Sequence, residues 1–144
     1  MKILVYQTRG SVAFPLEEIL KERGHQVVLC HSLEQAIEAW DKDKSFDCII
    51  AETNDSPQGL TKKERELSQT GLLSGWIWLK NYVFRIKPEM RVRTIMYTDY
   101  IKEIYKFVPY KKLRDIHFAK KYIHHEVNFE LVLYYVEIIE NLEQ

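Results

Sequence analysis

The stretch Phe46-Asp47-Cys48-Ile49-Ile50-Ala51-Glu52 decides how this chain is read. It is polar at its start, apolar through its middle, and ends on one carboxylate. The polar, turn-forming Thr53-Asn54-Asp55-Ser56-Pro57 follows. A short unbroken apolar run of this kind predicts a parallel strand buried on both faces. Open α/β sheets place their ligands and chemistry just beyond the carboxyl ends of such strands. Glu52 therefore stands where a functional acid is expected.

Upstream, Lys2 to Tyr6 predicts a first strand and Gln7 to Ser11 a turn. Ser11 reads as the N-cap of a helix whose first turn admits Pro15. Leu16, Ile19 and Leu20 give that helix an apolar face, and Gly24 stops it. His25 to Cys30 reads as a second strand. Ser32-Leu33-Glu34-Gln35 is a capping box that opens a second helix, with Leu33, Ala36, Ile37 and Trp40 facing inward. Asp47 to Ala51 is the third strand.

Downstream, Thr53 to Ser74 reads as a long polar loop carrying a charged patch, Lys62-Lys63-Glu64-Arg65-Glu66. Loops of this length are functional or mobile. Ser74 or Gly75 opens a third helix with Trp76, Leu79, Tyr82 and Val83, stopped by Pro88. Trp76 and Trp78 stand two apart, so one is expected as an exposed partner anchor or beneath the loop. Val92 to Tyr97 predicts a fourth strand ending at Thr98, and Asp99 to Phe107 a short fourth helix. Ile116 to Ala119 predicts a fifth strand ending at Lys120. Asn128 to Leu142 predicts the last helix, with Val132, Tyr135, Val136, Ile139 and Leu142 as its core stripe. Strands alternating with helices predict a right-handed, doubly wound parallel (βα)₅ sheet.

The 144 residues suit a single domain over 1–144, long enough to bury roughly 70% of its unfolded surface. Lys plus Arg and Asp plus Glu both count 21, so net charge is zero and wholesale polyanion binding is excluded. The balance hides an asymmetry. Seven basic and two acidic residues lie from Lys102 to Lys121, whereas five Glu and no Lys or Arg lie from Tyr122 onward. Cys30 and Cys48 lack motif spacing and read as reduced core thiols, expected on neighbouring strands. No apolar stretch reaches membrane-spanning length, and Met1-Lys2-Ile3-Leu4-Val5 runs directly into a strand without a signal peptide. The expected location is the cytoplasm, with no membrane contact.

Taken together, this order resembles the receiver domain of bacterial response regulators, the CheY-like family. Lys2-Ile3-Leu4-Val5 is similar to that family's first strand and Phe46 to Glu52 to its third. Gly75-Trp76-Ile77-Trp78-Leu79 is similar to the start of its third helix, while Thr98 and Lys120 end the fourth and fifth strands. Thr8 to Glu52 spans 44 positions and Thr98 to Lys120 spans 22, intervals similar to the family's. Glu52 to Thr98 is longer by one loop, which places an insertion at about 54–74. The resemblance implies a flavodoxin-like sheet of order 2-1-3-4-5 with an enlarged loop after strand 3.

The family's chemistry is phosphoryl transfer to an aspartate, with Mg²⁺ held by that aspartate and an acidic pair. Mg²⁺ demands hard oxygen ligands in near-octahedral array. Here the pair positions are the neutral Gln7 and Thr8, and the acceptor position is Glu52, one methylene longer. The family's phosphoryl contacts fall on Thr98 and Lys120, its switch aromatic on His117, and the proline after its lysine on Lys121. The resemblance therefore implies a degenerate pseudo-receiver with no enzymatic activity and no cofactor. A permanent Glu52–Lys120 ion pair beside Thr98 is expected, with Glu52 partly imitating a phosphorylated aspartate. The expected partners are proteins (a kinase, an output domain or an adaptor target). The face formed by the fourth helix, fifth strand and last helix, with Tyr105, Lys111, Lys112, Tyr122 and Tyr134, is expected to bind them or a second copy. A receiver phosphorylated by an unusual route is the nearest alternative.

Three other constellations carry possible chemistry. Thr8-Arg9-Gly10-Ser11 before a helix fits an anion cradle. With Arg23-Gly24-His25 it is similar to the opening of some nucleotide-sugar glycosyltransferases, although the chain is too short for their two-domain architecture. A small nucleotide- or ligand-binding domain using Thr8 to Ser11 is thus the rival from another class. His124 and His125, being sequence neighbours, are expected to point apart and lack partners at ligand spacing, so no metal site is expected. Lys102 to Lys121 interleaves basic and aromatic residues as a nucleic-acid track does. The zero net charge and the absence of any nucleic-acid motif argue for a protein surface instead.

Overall fold

In the computed structural model, which describes residues 1–143, β1 (Lys2–Tyr6) runs down the middle of the sheet. It pairs on one side with β2 (Gln26–Cys30) and on the other with β3 (Cys48–Ala51). Strands β4 (Thr94–Thr98) and β5 (His117–Lys120) extend the sheet, giving order β2-β1-β3-β4-β5 with every pair parallel. Side chains alternate across a strand, so each central strand feeds two cores. Leu4, Tyr6, Ile49, Ala51 and Met96 face one layer, and Ile3, Val5, Cys48, Ile50 and Tyr97 the other. Helices α1 (Gly10–Glu22) and α6 (Glu130–Glu140) cover the second layer through Val12, Leu16, Leu20, Val132, Val136 and Ile139. The first layer is closed by α2 (Leu33–Lys42), α4 (Ser74–Trp78) and α5 (Ile101–Phe107), which supply Leu33, Ala36, Trp40, Trp76, Trp78 and Ile104. This is the doubly wound sheet expected, in the expected order.

Local corrections each have a physical cause. Cys30 and Cys48 lie on β2 and β3 with β1 between them, in opposite cores, and burial raises both thiol pKa values. The N-cap of α1 is Arg9, not Ser11, and it makes no side-chain cap bond. Pro15 accordingly falls beyond the first turn, where it removes the bond to the Ser11 carbonyl. The Ser32 cap does form, with its hydroxyl accepting from the Gln35 N–H at 3.2 Å. The Gln35 side chain, however, takes the N–H of His31 at 2.7 Å instead of that of Ser32. A short antiparallel hairpin, β6 (Tyr122–Ile123) and β7 (Glu126–Val127), was not foreseen.

The insertion is not the irregular loop expected. It contains α3 (Lys62–Leu67), started by a capping box. The Thr61 hydroxyl accepts from the Glu64 N–H at 3.2 Å, and the Glu64 carboxylate accepts from the Thr61 N–H at 3.0 Å. That same carboxylate accepts from the Tyr82 hydroxyl and the Asn81 amide, both at 2.7 Å, docking the insertion onto the segment after α4. Leu60 and Leu73 join the core beneath it.

Both tryptophans are buried, Trp76 at 4% exposure and Trp78 at 0%. A surface helix cannot bury positions two apart, but α4 is buried at all five of its residues, between the sheet and the insertion. Trp78 meets Tyr6 edge to face at 6.1 Å and Trp76 lies 6.3 Å from Phe84. After α4 the chain widens into a π-helical turn (Leu79–Val83), and the Tyr82 carbonyl accepts from the Trp40 indole at 3.1 Å. Extra-wide turns of this kind shift helical register.

The docking carboxylate should make stability pH-dependent. Burial pushes the Glu64 carboxyl up, but the hydrogen bonds from Thr61, Tyr82 and Asn81 outweigh it and hold the group below its usual range. The bond to Glu64 pushes Tyr82 up to about 12. A depressed acid contributes stability that is present above the unfolded pKa of about 4.3 and lost as pH falls through the folded value. Glu64→Gln should therefore cost about 1 kcal/mol at neutral pH. In urea unfolding the gap between variant and parent should narrow as pH falls below the unfolded carboxyl pKa of about 4.3. A gap that persists unchanged in acid would discard the docking role.

Candidate functional site

The site lies at the carboxyl end of β3. By strand alternation Glu52 follows Ile50 onto the α1/α6 side of the sheet, and it is 4% exposed. Its Oε1 accepts the N–H of Thr53 at 2.8 Å and that of Asn54 at 3.3 Å. Its Oε2 receives the ammonium of Lys121, itself 3% exposed. Both carboxylate oxygens are engaged.

The expected partner, Lys120, is not in the pair. Lys120 is the last residue of β5, in register with Thr98, and its side chain is exposed. Alternation places Lys121, two residues beyond Ala119, on the face of Ala119 and Ile50, where Glu52 also lies. The backbone of Lys121 is held on both sides. Its N–H donates to the Thr98 carbonyl at 3.3 Å, and its own carbonyl accepts from the Asn128 N–H at 2.8 Å. Its ammonium also lies 5.9 Å from the centre of the Tyr97 ring. Counting alternation from Ala119 would have found this lysine; counting from the strand's last residue did not.

The neighbouring positions are equally committed. The Gln7 side chain is buried, its amide donating to the Tyr97 carbonyl at 3.3 Å, while its Oε1 has no partner among the described residues. Thr8 is half-buried. Thr98 does not reach Glu52. Its hydroxyl is 3.0 Å from that of Thr53 and accepts the Tyr100 N–H at 3.2 Å. Asp55, which sequence reasoning passed over, seals the other side of the sheet end. Its Oδ2 accepts from the Tyr6 hydroxyl at 2.6 Å and from the Leu33 N–H at 3.0 Å, tying β1 and α2 to the insertion. Burial, together with the bond to Asp55, pushes the Tyr6 hydroxyl far above its usual range.

These residues do not fit the Mg²⁺ that the resemblance implies. The pair positions carry no carboxylate. Both Glu52 oxygens are already bound by amides and an ammonium, and one neutral amide oxygen remains. Hard divalent cations need several oxygen ligands, carboxylates among them. Among the described residues, no group of three or more His, Cys, Asp or Glu side chains converges as a metal site would. The charge of Glu52 is balanced by Lys121 instead.

His117, expected from the resemblance at the switch position, is half-buried with Nε2 3.2 Å from the Val92 carbonyl and its ring 4.7 Å from Tyr135. Burial lowers its pKa against the opposing pull of the Val92 carbonyl. The named surface residues divide into three groups. Tyr105 on α5 and Tyr134 on α6 are exposed on either side of the edge strand β5, and Tyr105 packs on Phe118 at 5.5 Å. Lys111 and Lys112 lie in a 3₁₀ turn (Tyr110–Lys112), lining a cleft with Trp76, Lys80 and Arg114. Tyr122 lies in neither group; it lines a cleft of about 610 Å³ with Arg9, Asp99, Lys120, His124 and His125. No described helix is long and apolar enough to cross a membrane.

No family model matches the sequence, and no curated protein matches it. Solved structures do. A response regulator receiver protein from Sinorhizobium medicae superposes with a TM-score of 0.66 at 15% identity, covering 100% of this chain and 97% of that one. A response regulator receiver domain protein from Clostridium thermocellum gives 0.65 at 12% identity, covering 99% and 95%. A response regulator protein from Thermotoga maritima, solved in complex with Mg²⁺ and BeF, gives 0.64 at 17% identity, covering 96% and 97%. Likeness of this extent at such low identity establishes the fold. The chain has the CheY-like receiver fold.

Proposed function

We propose that this chain is an atypical receiver-like signalling module that acts through protein contacts and without aspartyl phosphorylation. The observation that carries the reading is the buried Glu52–Lys121 pair, which occupies both oxygens of the acid at the acceptor position. A carboxylate so buried and paired is poorly placed to attack a phosphoryl donor or to hold a metal, since each of its oxygens already has a partner inside the fold. The lysine of the sheet end is turned inward onto the acid and supplies from within the charge that a cation would otherwise supply. The module on this reading has no catalytic step of its own.

Its output is contact. The edge strand β5 is flanked by α5, which carries Lys102 and Lys106, and by α6, which carries Glu130, while Glu137 and Glu140 of α6 turn to Arg23 and His25 at 3.4 and 3.3 Å. Exposed Tyr105, Phe107 and Tyr134 lie among these charges. The basic side chains of α5 and the exposed aromatics suit this face to a second copy, or to a kinase, output domain or adaptor of matching pattern.

An amide NMR titration of the intact protein with Mg²⁺ and then beryllofluoride tests the reading. The amides of Glu52, Thr53, Thr98 and Lys121 should not move. Saturable shifts spreading from Glu52 to His117 would overturn it and restore the phosphorylatable receiver.

A further inference from the structure

The carboxyl edge of the sheet is sealed at β3 but open one step away. Arg9 follows the end of β1, Asp99 follows β4, and Lys120 ends β5. Their side chains, with Tyr122, His124 and His125 of the β6–β7 hairpin, line one cleft of about 610 Å³. Small-molecule sites typically measure about 300–1,000 Å³. Two permanent cations and two imidazoles face a single carboxylate there. That carboxylate is already used, since Asp99 accepts the Tyr122 N–H at 3.1 Å. The Arg9 guanidinium lies 6.0 Å from the centre of the half-buried Tyr122 ring. We infer that this cleft binds a phosphate ester of a small molecule, with Arg9 and Lys120 on the phosphate.

Three features favour that ligand. An arginine fork matches phosphate oxygens in pairs, and a lysine adds a point charge. Arg9 is also the N-cap of α1, where its side chain makes no cap bond and no acid occupies the first turn. The positive end of the helix therefore adds to the cleft's field without an internal anion to cancel it. The hairpin contributes the third feature. Ile123 pairs with Glu126, so His124 and His125 form its two-residue loop, with φ of 51° and 67°. Turns with both central φ positive strongly prefer Asn-Gly. Here the same backbone instead carries two imidazoles into the wall of a cationic cleft. The inference goes beyond the signalling reading and does not depend on Glu52.

Binding of adenosine monophosphate, inorganic phosphate and adenosine to the full chain tests it, followed by calorimetry and by amide NMR. Adenosine monophosphate should bind saturably, shifting Arg9, Lys120, Tyr122, His124 and His125 while the Glu52 amide stays still. Arg9→Ala and Lys120→Ala, both at exposed positions, should each weaken binding about tenfold, the loss expected for one charge-assisted contact. The paired change His124→Asn and His125→Gly should raise the Tm yet weaken binding, a combination that a merely structural turn would not produce. Adenosine binding as tightly as the monophosphate, or inorganic phosphate binding more tightly than it, would overturn the assignment. So would equal shifts in the second basic cleft of Lys80, Lys111, Lys112 and Arg114, which would mean loose polyanion attraction.

Discussion

Lys121→Ala should lower the free energy of unfolding by about 3–5 kcal/mol, whereas Lys120→Ala should change it by less than about 0.5 kcal/mol. The contrast follows from burial. Removing the Lys121 ammonium leaves the Glu52 carboxyl without its partner in a site that is 4% exposed, with only two amide N–H groups beside it. An ion stripped of its partner in such a place costs several kcal/mol. Lys120 is exposed, and its removal strands nothing. The pair itself is worth much less than the cost of halving it, because both ions had to leave water to meet. Replacing Glu52 and Lys121 together by Gln and Met should therefore recover most of the loss. Urea unfolding of the parent, Glu52→Gln, Lys121→Met and the paired variant forms the double-mutant cycle. Equal effects of the two lysine substitutions would show that Glu52 is not held by Lys121.

Gly75→Ala should be nearly as damaging, at about 3 kcal/mol or more. The N–H of Gly75 donates to the Thr53 carbonyl at 3.0 Å, clamping the start of α4 to the chain leaving β3. A Cβ at this position would collide with the Glu52 carbonyl oxygen, 2.9 Å from that group's carbon and 3.0 Å from the Thr53 Cα. All of these are backbone atoms, so no side chain can swing aside. Either α4 retreats from the sheet, opening the core at Trp78, or β3 shifts and disturbs the carboxylate. The measurement is again urea unfolding, joined by the Glu52 and Thr53 amide shifts. An alanine variant of parental stability with unmoved shifts would mean that the contact is not rigid.

Much of the fold was legible because it rests on repeated, local signals. Apolar runs at β1, β3 and β4, the Ser32 cap and the apolar stripe of α6 each follow from a few adjacent residues. The elements missed share a different property, in that neighbours far along the chain decide them. The Thr61–Glu64 capping box was present in the sequence but hidden in a run of charges, and what makes it matter is Tyr82 across the fold. Trp76 and Trp78 are both buried because α4 is covered on every side, a fact of packing that periodicity does not carry. The two-histidine turn has none of the Asn-Gly chemistry by which hairpins are recognised. In the site, Glu52 was found from the end of its strand, and its partner was misplaced by one residue. A one-residue error at a strand end turns a side chain to the opposite face, and that single step separates an exposed lysine from the one that neutralises the acid.

The seal around Glu52 and Lys121 also bears on how information can reach this molecule. Surface charges answer to salt over a Debye length of about 8 Å in physiological solution, but a pair closed off from water is screened far less. Ionic strength and magnesium therefore have little purchase on this buried pair, in contrast to the exposed cations one step along the sheet edge. If the chain signals without phosphorylation, as proposed, the variables left to a cell are how many copies exist and what occupies their open surfaces. It would report abundance and occupancy, in the manner of a titrated subunit, where a covalent switch would report a history of modification.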